Sequence, residues 1–205
     1  MIAYAARYYD RLLSALLEHL EIVVVTLLIS LVLAALLTLA SCYCKPLSRL
    51  LLGLFSMIYS VPSLALLALL IPVTGLGRTT AVTALVIYNQ YLLLRNFLAG
   101  LESVDRSVVE AAAGMGMTRL QLLLRVQVPL AKGAILAGLR IALVSTVGIA
   151  TIAASINAGG LGAILFDGLR TMNTAKILWG SLLSAVLAVA LDRLLALAER
   201  RGSMK

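Results

Sequence analysis

Glu110 and Gly116 lie in residues 102–129, the one long polar and charged interval of an otherwise apolar sequence. Ser107 and Glu110 have the spacing of a capping box, in which a hydroxyl and a carboxylate each accept a hydrogen bond from a free backbone N–H at a helix start. Gly114 and Gly116 predict the end of that helix, because glycine adopts the left-handed C-cap conformation at little cost. A carboxylate near a helix N-terminus also suits an ion pair with a basic residue of another protein. The predicted chemistry is therefore recognition, although Glu110 also has the simpler interpretation of a cap for its own helix.

A second helix is predicted to follow the glycines. Thr118 and Gln121 repeat the capping-box spacing, and Pro129 is expected to close the helix. Ala111 and Ala112 leave room for the close approach of a partner surface, although alanine is also a good helix former. Two short helices with a sharp bend between them form a shape that suits docking to a partner.

The sequence contains no constellation of residues that predicts catalysis or metal binding. The phosphate-binding motif Gly-x-x-x-x-Gly-Lys-Ser/Thr is absent, so ATP hydrolysis by a P-loop mechanism would need a separate subunit. The two cysteines, Cys42 and Cys44, would point away from each other in a helix, and His19 is far from both. We therefore expect no enzyme activity, no metal and no cofactor in this chain.

Composition predicts that lipid surrounds most of the chain. Hydrophobic residues make up 62% of the sequence and charged residues 13%, whereas soluble domains carry about 25% charged residues. The net charge of +8 does not indicate nucleic-acid binding, because the basic residues are not clustered with aromatic residues on one polar surface. They lie between apolar runs, as positively charged residues do in membrane proteins.

The apolar runs predict an all-α membrane protein with about five transmembrane helices in a single domain, residues 1–205. A transmembrane helix needs about 20 mostly apolar residues, which five segments provide: residues 22–40, 50–73, 79–98, 133–156 and a run that begins at 177. Pro62 interrupts the second segment, and the third is the least apolar because it contains Asn89 and Gln90. Residues 1–20 are too charged to span and are expected to form an amphipathic helix at the membrane interface.

Lysine and arginine residues predict how the chain lies in a bacterial cytoplasmic membrane. Eleven of the 17 fall on the side of the polar interval, Arg140 falls inside a predicted span, and five fall on the other side: Arg7, Arg11, Arg78, Arg170 and Lys176. Positive residues favour the cytoplasmic side, so the polar interval and the C-terminus are predicted inside, with the N-terminus and residues 157–176 outside. Arg140 is expected to extend to the interface or to pair with an acidic residue of a neighbouring chain.

Polar residues within the predicted spans are candidates for the lining of a pathway. Such residues are costly in lipid and tend to face a bundle interior or water, and interhelical hydrogen bonding is the alternative interpretation. The candidates lie beside Pro62, in the middle of the third span and along the fourth: Tyr59, Ser60, Tyr88, Asn89, Gln90, Thr151, Ser155 and Asn157.

Residues 99–131 also carry a family resemblance. Three elements in register resemble the "EAA" loop of ATP-binding-cassette (ABC) importer permeases: Glu110-Ala111-Ala112, Gly116 and Val126-Gln127-Val128-Pro129. Valine stands at two positions where isoleucine and leucine are usual. The resemblance implies a type I importer permease (MetI-like) core with a cytoplasmic coupling helix that fits a cleft of a separate ATPase. It gives the coupling role to Glu110, Ala111, Ala112, Gly116 and Pro129. An amphipathic loop that rests on the bilayer is the alternative.

Other segments resemble the permeases of osmoprotectant importers for glycine betaine, carnitine and choline: residues 55–65, 74–77, 87–89, 149–154 and 158–162. This resemblance implies a translocation path for a quaternary ammonium solute. It also implies two ATPase subunits, a second permease chain, identical or different, and an extracytoplasmic substrate-binding protein. Residues 157–176 would then dip toward the pathway and help to gate it, with an ordinary external turn and surface helix as the alternative.

Three other functions remain open at this point. A permease for an amino acid such as methionine keeps the class of protein and changes the cargo. A self-contained channel or secondary transporter is a different class, although such carriers often show internal repeats and this sequence has no convincing one. A membrane scaffold without transport activity would leave the polar residues of the spans unexplained.

Overall fold

The computed structural model describes residues 2–203, with side chains for residues 4–197. Every regular element in this range is helical, which confirms the predicted all-α fold. A π-helical turn at Leu123–Gln127 joins α7 to α8, and a 3-10 turn at Ala154–Ile156 extends α9. The α-helices are α1 (Ile2–Arg7), α2 (Tyr9–Tyr43), α3 (Lys45–Tyr59), α4 (Ser63–Thr74), α5 (Arg78–Glu102), α6 (Arg106–Gly114), α7 (Arg119–Leu122), α8 (Val128–Leu130), α9 (Lys132–Ala153), α10 (Leu161–Arg170) and α11 (Thr174–Ser203).

The first span is one helix of 35 residues, α2, about 52 Å long. The expected division at residue 20, between an interfacial helix and a span, is wrong: only α1 stands apart, and α2 begins at Tyr9. Buried residues recur every three or four positions from Leu12 to Ser41, so one buried stripe crosses residue 20 without interruption. Charged residues of the first turns lie on the other faces of that helix. The position of α1 at the membrane interface stays a prediction.

The second predicted span, residues 50–73, is broken into α3 and α4, whose axes differ by 101°. The break lies where Pro62 predicted an interruption. Pro62 precedes α4 with an extended ψ of 136°, and a proline disfavours helical conformation in the residue before it. The two helices therefore form a bent pair rather than a straight crossing.

Within residues 2–203, three helices are long and apolar enough to cross a membrane, namely Tyr9–Tyr43, Lys132–Ile156 and Thr174–Leu197. The bent pair α3–α4 adds a fourth if it is counted as one span. The remaining predicted span is α5. It is about 37 Å long, but its sequence is more polar than that of the three spanning helices. It is nevertheless the centre of the bundle: 15 of its 25 residues are buried, and it packs against α2, α3, α4 and α9.

Close contacts between helices occur at glycines. A Cβ at Gly138 of α9 would lie 2.5 Å from Cβ of Asn96 on α5, and a Cβ at Gly162 of α10 would overlap the carbonyl oxygen of Thr151. Farther along α9, the Arg140 guanidinium donates two hydrogen bonds to Asp192 of α11, at 2.8 and 3.0 Å. The expected acidic partner of Arg140 therefore lies in the same chain, not in a neighbouring one.

Candidate functional site

Residues 105–130, termed here the α6–α8 segment, form the predicted bent pair of helices at one end of the bundle. Asp105 begins it, since its Oδ1 accepts a hydrogen bond of 2.8 Å from the backbone N–H of Ser107. The predicted capping box of Ser107 and Glu110 is therefore wrong: α6 begins at Arg106, so Ser107 already lies in the first turn. Hydrogen bonds from the Ser107 backbone and hydroxyl hold the pKa of Asp105 below its usual value, which keeps the capping carboxylate ionised at neutral pH.

Glu110 projects from α6 into solvent, with 66% of its side chain exposed. Its Oε1 accepts a hydrogen bond of 2.9 Å from Nε of Arg106, one turn earlier. An ion pair this exposed contributes at most about 1 kcal/mol, so a basic residue of another protein can replace Arg106 at little cost. Ala111 is exposed beside Glu110, whereas Ala112 is buried against its own chain.

The bend of the α6–α8 segment depends on Gly116, as predicted. Its φ of +83° lies in the left-handed region, which costs a residue with a Cβ about 1–2 kcal/mol. Gly114, in contrast, is the last residue of α6 and needs no such conformation. After the bend, Thr118 and Gln121 form the predicted capping box, with both hydrogen bonds present.

Pro129 was expected from the sequence to close the second helix, and that expectation is wrong. It is the second residue of α8, which follows the π-helical turn directly. The π-helical turn before it and the hydrogen bond of 2.8 Å from Ala131 N–H to the Gln127 carbonyl continue the helical path. The α6–α8 segment is thus joined to α9 almost without interruption, which links its position to that of a membrane span.

The inner face of the α6–α8 segment packs on the bundle, and its outer face is apolar and exposed. Leu123 is buried with Leu101 and Ala131 in a small cluster at the end of the bundle. Met115 is 74% exposed, and Leu124 is 56% exposed and lines a groove with residues of α2. Exposed apolar side chains and an exposed carboxylate in one segment suit contact with a protein partner.

The polar residues in the middle of α5 form hydrogen bonds inside the chain. The Asn89 amide donates to the Thr146 hydroxyl at 2.9 Å and to the Ser30 hydroxyl at 3.3 Å, which ties α5 to α9 and α2. The Gln90 amide donates to the Val86 and Ser30 carbonyls, whereas its Oε1 has no hydrogen-bond partner among the described residues. Both side chains are almost fully buried, an arrangement that favours the interhelical alternative over a lining role in this conformation.

Three tyrosine rings meet beside the break between α3 and α4. Tyr59 packs edge-on against Tyr88 with ring centroids 5.6 Å apart, and at 5.0 Å from the ring of Tyr91. The Tyr88 hydroxyl donates to the Val61 carbonyl, which the helix break leaves without a helical partner. Ser60 is exposed and donates to a carbonyl of its own helix. Of these residues, Tyr59 and Ser60 remain on a surface of the chain.

The candidate residues at the end of α9 divide between the interior and the surface. Thr151 is half-buried and donates to the Val147 carbonyl, with Ser184 of α11 at 3.5 Å. Ser155 and Asn157 are exposed, and Asn157 has the left-handed φ of 69° that ends the helical path. The helix that follows, α10, begins at Leu161.

The attachment of residues 157–160 to α2 was not anticipated from the sequence. The Glu18 carboxylate accepts a hydrogen bond of 3.0 Å from the Gly160 backbone N–H. His19 is fully buried, with Nε2 at 3.2 Å from the Val147 carbonyl. A Cβ at Gly160 would lie 2.9 Å from Nδ1 of His19. Partners more than 120 positions apart leave no local signal in a sequence.

Comparisons with known proteins agree with this geometry. The family model of the binding-protein-dependent transport system inner membrane component matches residues 27–203. The glycine betaine/carnitine/choline transport system permease protein OpuCB of Bacillus subtilis is 34% identical over 92% of this chain and 87% of its own length. The choline permease protein OpuBD of the same organism is 42% identical over 71% of this chain and 65% of its own.

Among solved structures, an amino acid ABC transporter crystallised with histidines has a chain with a TM-score of 0.83 and 22% identity, over 98% of both chains. That likeness establishes the MetI-like fold. The matched family covers α5, α9 and α11, the second half of α2 and the whole α6–α8 segment. This chain therefore belongs to the family of binding-protein-dependent transport system inner membrane components, the permease subunits of ABC importers.

Proposed function

We propose that this chain forms the translocation path of an ATP-driven importer for a quaternary ammonium osmoprotectant. Glycine betaine, carnitine and choline, the solutes named for similar permeases, share a trimethylammonium group. Similarity to these permeases extends over most of the chain, whereas the likeness to the amino acid transporter is one of fold at 22% identity. The cargo is therefore a quaternary amine rather than an amino acid such as methionine.

The α6–α8 segment carries the proposal, because its geometry suits the transmission of force from a separate ATPase. Glu110 is exposed, Met115 and Leu124 are exposed apolar residues of the same segment, and Gly116 sets the angle between the helices. Through Pro129 the segment continues into α9. A partner that moves the segment would thus move a membrane span directly.

The remaining components follow from this role. Two ATPase subunits bind and hydrolyse ATP, a second permease chain, identical or different, completes the pathway, and an extracytoplasmic protein delivers the solute. The chain itself needs no cofactor. We place the N-terminus and residues 157–176 outside and the α6–α8 segment in the cytoplasm, on the distribution of lysine and arginine. Exposed Tyr59, Ser60, Ser155 and Asn157 are the proposed pathway residues.

Co-purification and uptake test the coupling role. The chain is co-expressed with its ATPase and binding protein, and ATP-dependent uptake of labelled glycine betaine, carnitine and choline is measured in vesicles. Glu110→Lys should abolish both ATPase retention and uptake without reducing membrane insertion. Asp10→Lys makes the same charge change at an exposed site on α2 and should leave both intact.

Three results would overturn the proposal. Normal uptake and normal ATPase retention in Glu110→Lys would remove the coupling role. Growth rescue under salt stress distinguishes the cargo: rescue by methionine supply alone, with no response to any of the three quaternary amines, would replace the proposed solute. Uptake by the purified chain without the ATPase would instead favour a channel or secondary transporter.

A further inference from the structure

We propose that a cavity between α2, α3, α5 and the α6–α8 segment binds the phosphate of an anionic phospholipid headgroup. The cavity has a volume of about 500 Å³ and is lined by residues of all four elements. The polar residues that the argument uses are Ser41, Lys45, Ser48, Arg49, Glu102 and Gln127. This site is separate from the exposed surface around Glu110.

Two positive charges face the cavity without a negative partner. Lys45 and Arg49 are four positions apart on α3, so they lie on the same face of the helix. Neither forms an ion pair with any residue in the part of the chain that the structure describes. Two like charges this close repel each other. An anion bound between them attracts both and offsets that repulsion.

A buried hydroxyl also lacks a partner at this site. Ser41 lines the cavity, is 3% exposed, and its Oγ has no hydrogen-bond partner among the described residues. Buried polar groups are almost always hydrogen-bonded, so an unpaired one that lines a cavity points to a ligand. A phosphate oxygen is a strong acceptor for this hydroxyl and for the Ser48 hydroxyl beside it.

The start of α3 adds a third favourable feature. This helix of 15 residues begins at Lys45, and no side chain caps its first turn. The helix dipole places partial positive charge at this terminus, which favours an anion, although Pro46 has no N–H and the Leu47 and Ser48 N–H groups bond to the Cys44 carbonyl. The two cations, the unpaired hydroxyl and the helix terminus together describe a site for a phosphate group.

The surroundings favour a lipid phosphate over a free one. The apolar run of α2 ends at Tyr43 beside the cavity, at the predicted cytoplasmic boundary where headgroups lie. Leu50 and Leu54 of α3 are 67% and 49% exposed and offer an apolar surface for acyl chains. Gln127 belongs to the π-helical turn, so a bound headgroup contacts the α6–α8 segment as well.

Glu102 opposes anion binding, because its carboxylate also lines the cavity. It offers the competing explanation that a small movement pairs it with Lys45, which would leave no site for a phosphate. Binding to the unaltered chain separates the two explanations. Under the proposal, the unaltered chain binds an anion and Glu102→Gln strengthens that binding. Under the alternative, Glu102 pairs with Lys45 in the unaltered chain, so anion binding appears only when the charge of Glu102 is removed.

Native mass spectrometry of the full chain in detergent tests the proposal without any requirement for transport. Phosphatidylglycerol should bind more tightly than phosphatidylcholine. The double variant Lys45→Gln/Arg49→Gln should lower the affinity for phosphatidylglycerol about tenfold, the ratio expected when a charge-assisted hydrogen bond is lost. Arg125→Gln removes one charge from the exposed face of the α6–α8 segment and should leave the affinity unchanged.

Further variants keep the test decisive if the double variant folds poorly. Glu102→Gln should raise the affinity for phosphatidylglycerol, and Ser41→Ala should lower it without destabilising the lipid-free chain. Equal losses in Arg125→Gln and in the double variant would overturn the site in favour of diffuse attraction. Displacement of phosphatidylglycerol by millimolar inorganic phosphate would overturn the lipid assignment. Because binding is measured on the isolated chain, failure here leaves the proposed transport function untouched.

Discussion

Helix α5 and the α6–α8 segment follow each other in the chain, and both contain many polar residues, yet they use them in opposite ways. In α5 the polar side chains point inward: Asn89 and Gln90 bond to residues 57 to 60 positions away on other helices. In the α6–α8 segment the side-chain hydrogen bonds of Asp105, Glu110 and Gln121 reach only two to four positions along the chain.

The difference indicates where stability and function reside in this permease. Hydrogen bonds across helices fix the arrangement of the bundle, and their loss leaves buried groups unpaired. Local hydrogen bonds shape a surface that is open to a partner and contribute little to the bundle. Substitutions in the interior are therefore expected to act on folding, whereas those in the α6–α8 segment are expected to act on uptake. The following predictions test that division.

The largest expected effect is at Gly162, where α10 crosses α9. A Cβ in Gly162→Ala would overlap the Thr151 carbonyl oxygen, so the two helices must separate, at a cost of about 3 kcal/mol. Gly148→Ala is the matched control, because a Cβ there meets nothing within 4 Å. Chemical unfolding in detergent, followed by circular dichroism, measures both. Equal stability of the two variants would contradict the packing of α10.

The second effect concerns Arg140 and Asp192, the half-buried ion pair between α9 and α11. In Arg140→Met, both Asp192 carboxylate oxygens lose the guanidinium that donates to them. The free energy of unfolding should fall by about 2 kcal/mol, a value between those for exposed and buried ion pairs. The double variant Arg140→Met/Asp192→Leu should recover part of that loss, because no carboxylate is then left without its partner. A double variant less stable than either single one would show that the pair contributes nothing specific.

The third effect is the loss of the hydrogen bonds that join α5 to α2 and α9. Asn89→Leu leaves the Thr146 hydroxyl without its partner on α5 and should cost about 1–2 kcal/mol. Thr83→Val removes a hydroxyl that bonds only to its own helix, at Thr79, and should be nearly neutral. A pathway role for Asn89 predicts the opposite pattern, with lost uptake and unchanged unfolding.

Local patterns in the sequence predicted much of this structure, and distant contacts account for most of what they missed. The capping box at Thr118 and the left-handed Gly116 were predicted because the residues that form them lie within a few positions. The cap of α6 was misplaced by only two residues, from Asp105 to Ser107, since both types favour that position.

In contrast, the burial of His19 and the pairing of Arg140 with Asp192 depend on helices that meet only in the folded chain. Helix α5 is a second example of contacts that the local sequence does not predict. Its polar residues suggested a pathway, and its depth in the bundle gives Asn89 hydrogen-bond partners on α2 and α9. Periodicity identifies which face of a helix is buried, but not which helix covers it.

The smallest effect on stability, and the sharpest test of the division, is at the bend of the α6–α8 segment. Gly116→Ala forces a Cβ into a backbone with φ of +83°, at a cost of about 1 kcal/mol, although no atom lies within 4 Å of that Cβ. Gly114→Ala, two residues earlier, meets no atom and needs no unusual conformation. Uptake should therefore fall severalfold in Gly116→Ala alone, because the angle between α6 and α7 changes while the bundle unfolds almost as before. If both alanine variants transported normally, the exact angle of the bend would be irrelevant to coupling, and the carboxylate of Glu110 would remain as the feature on which a partner acts.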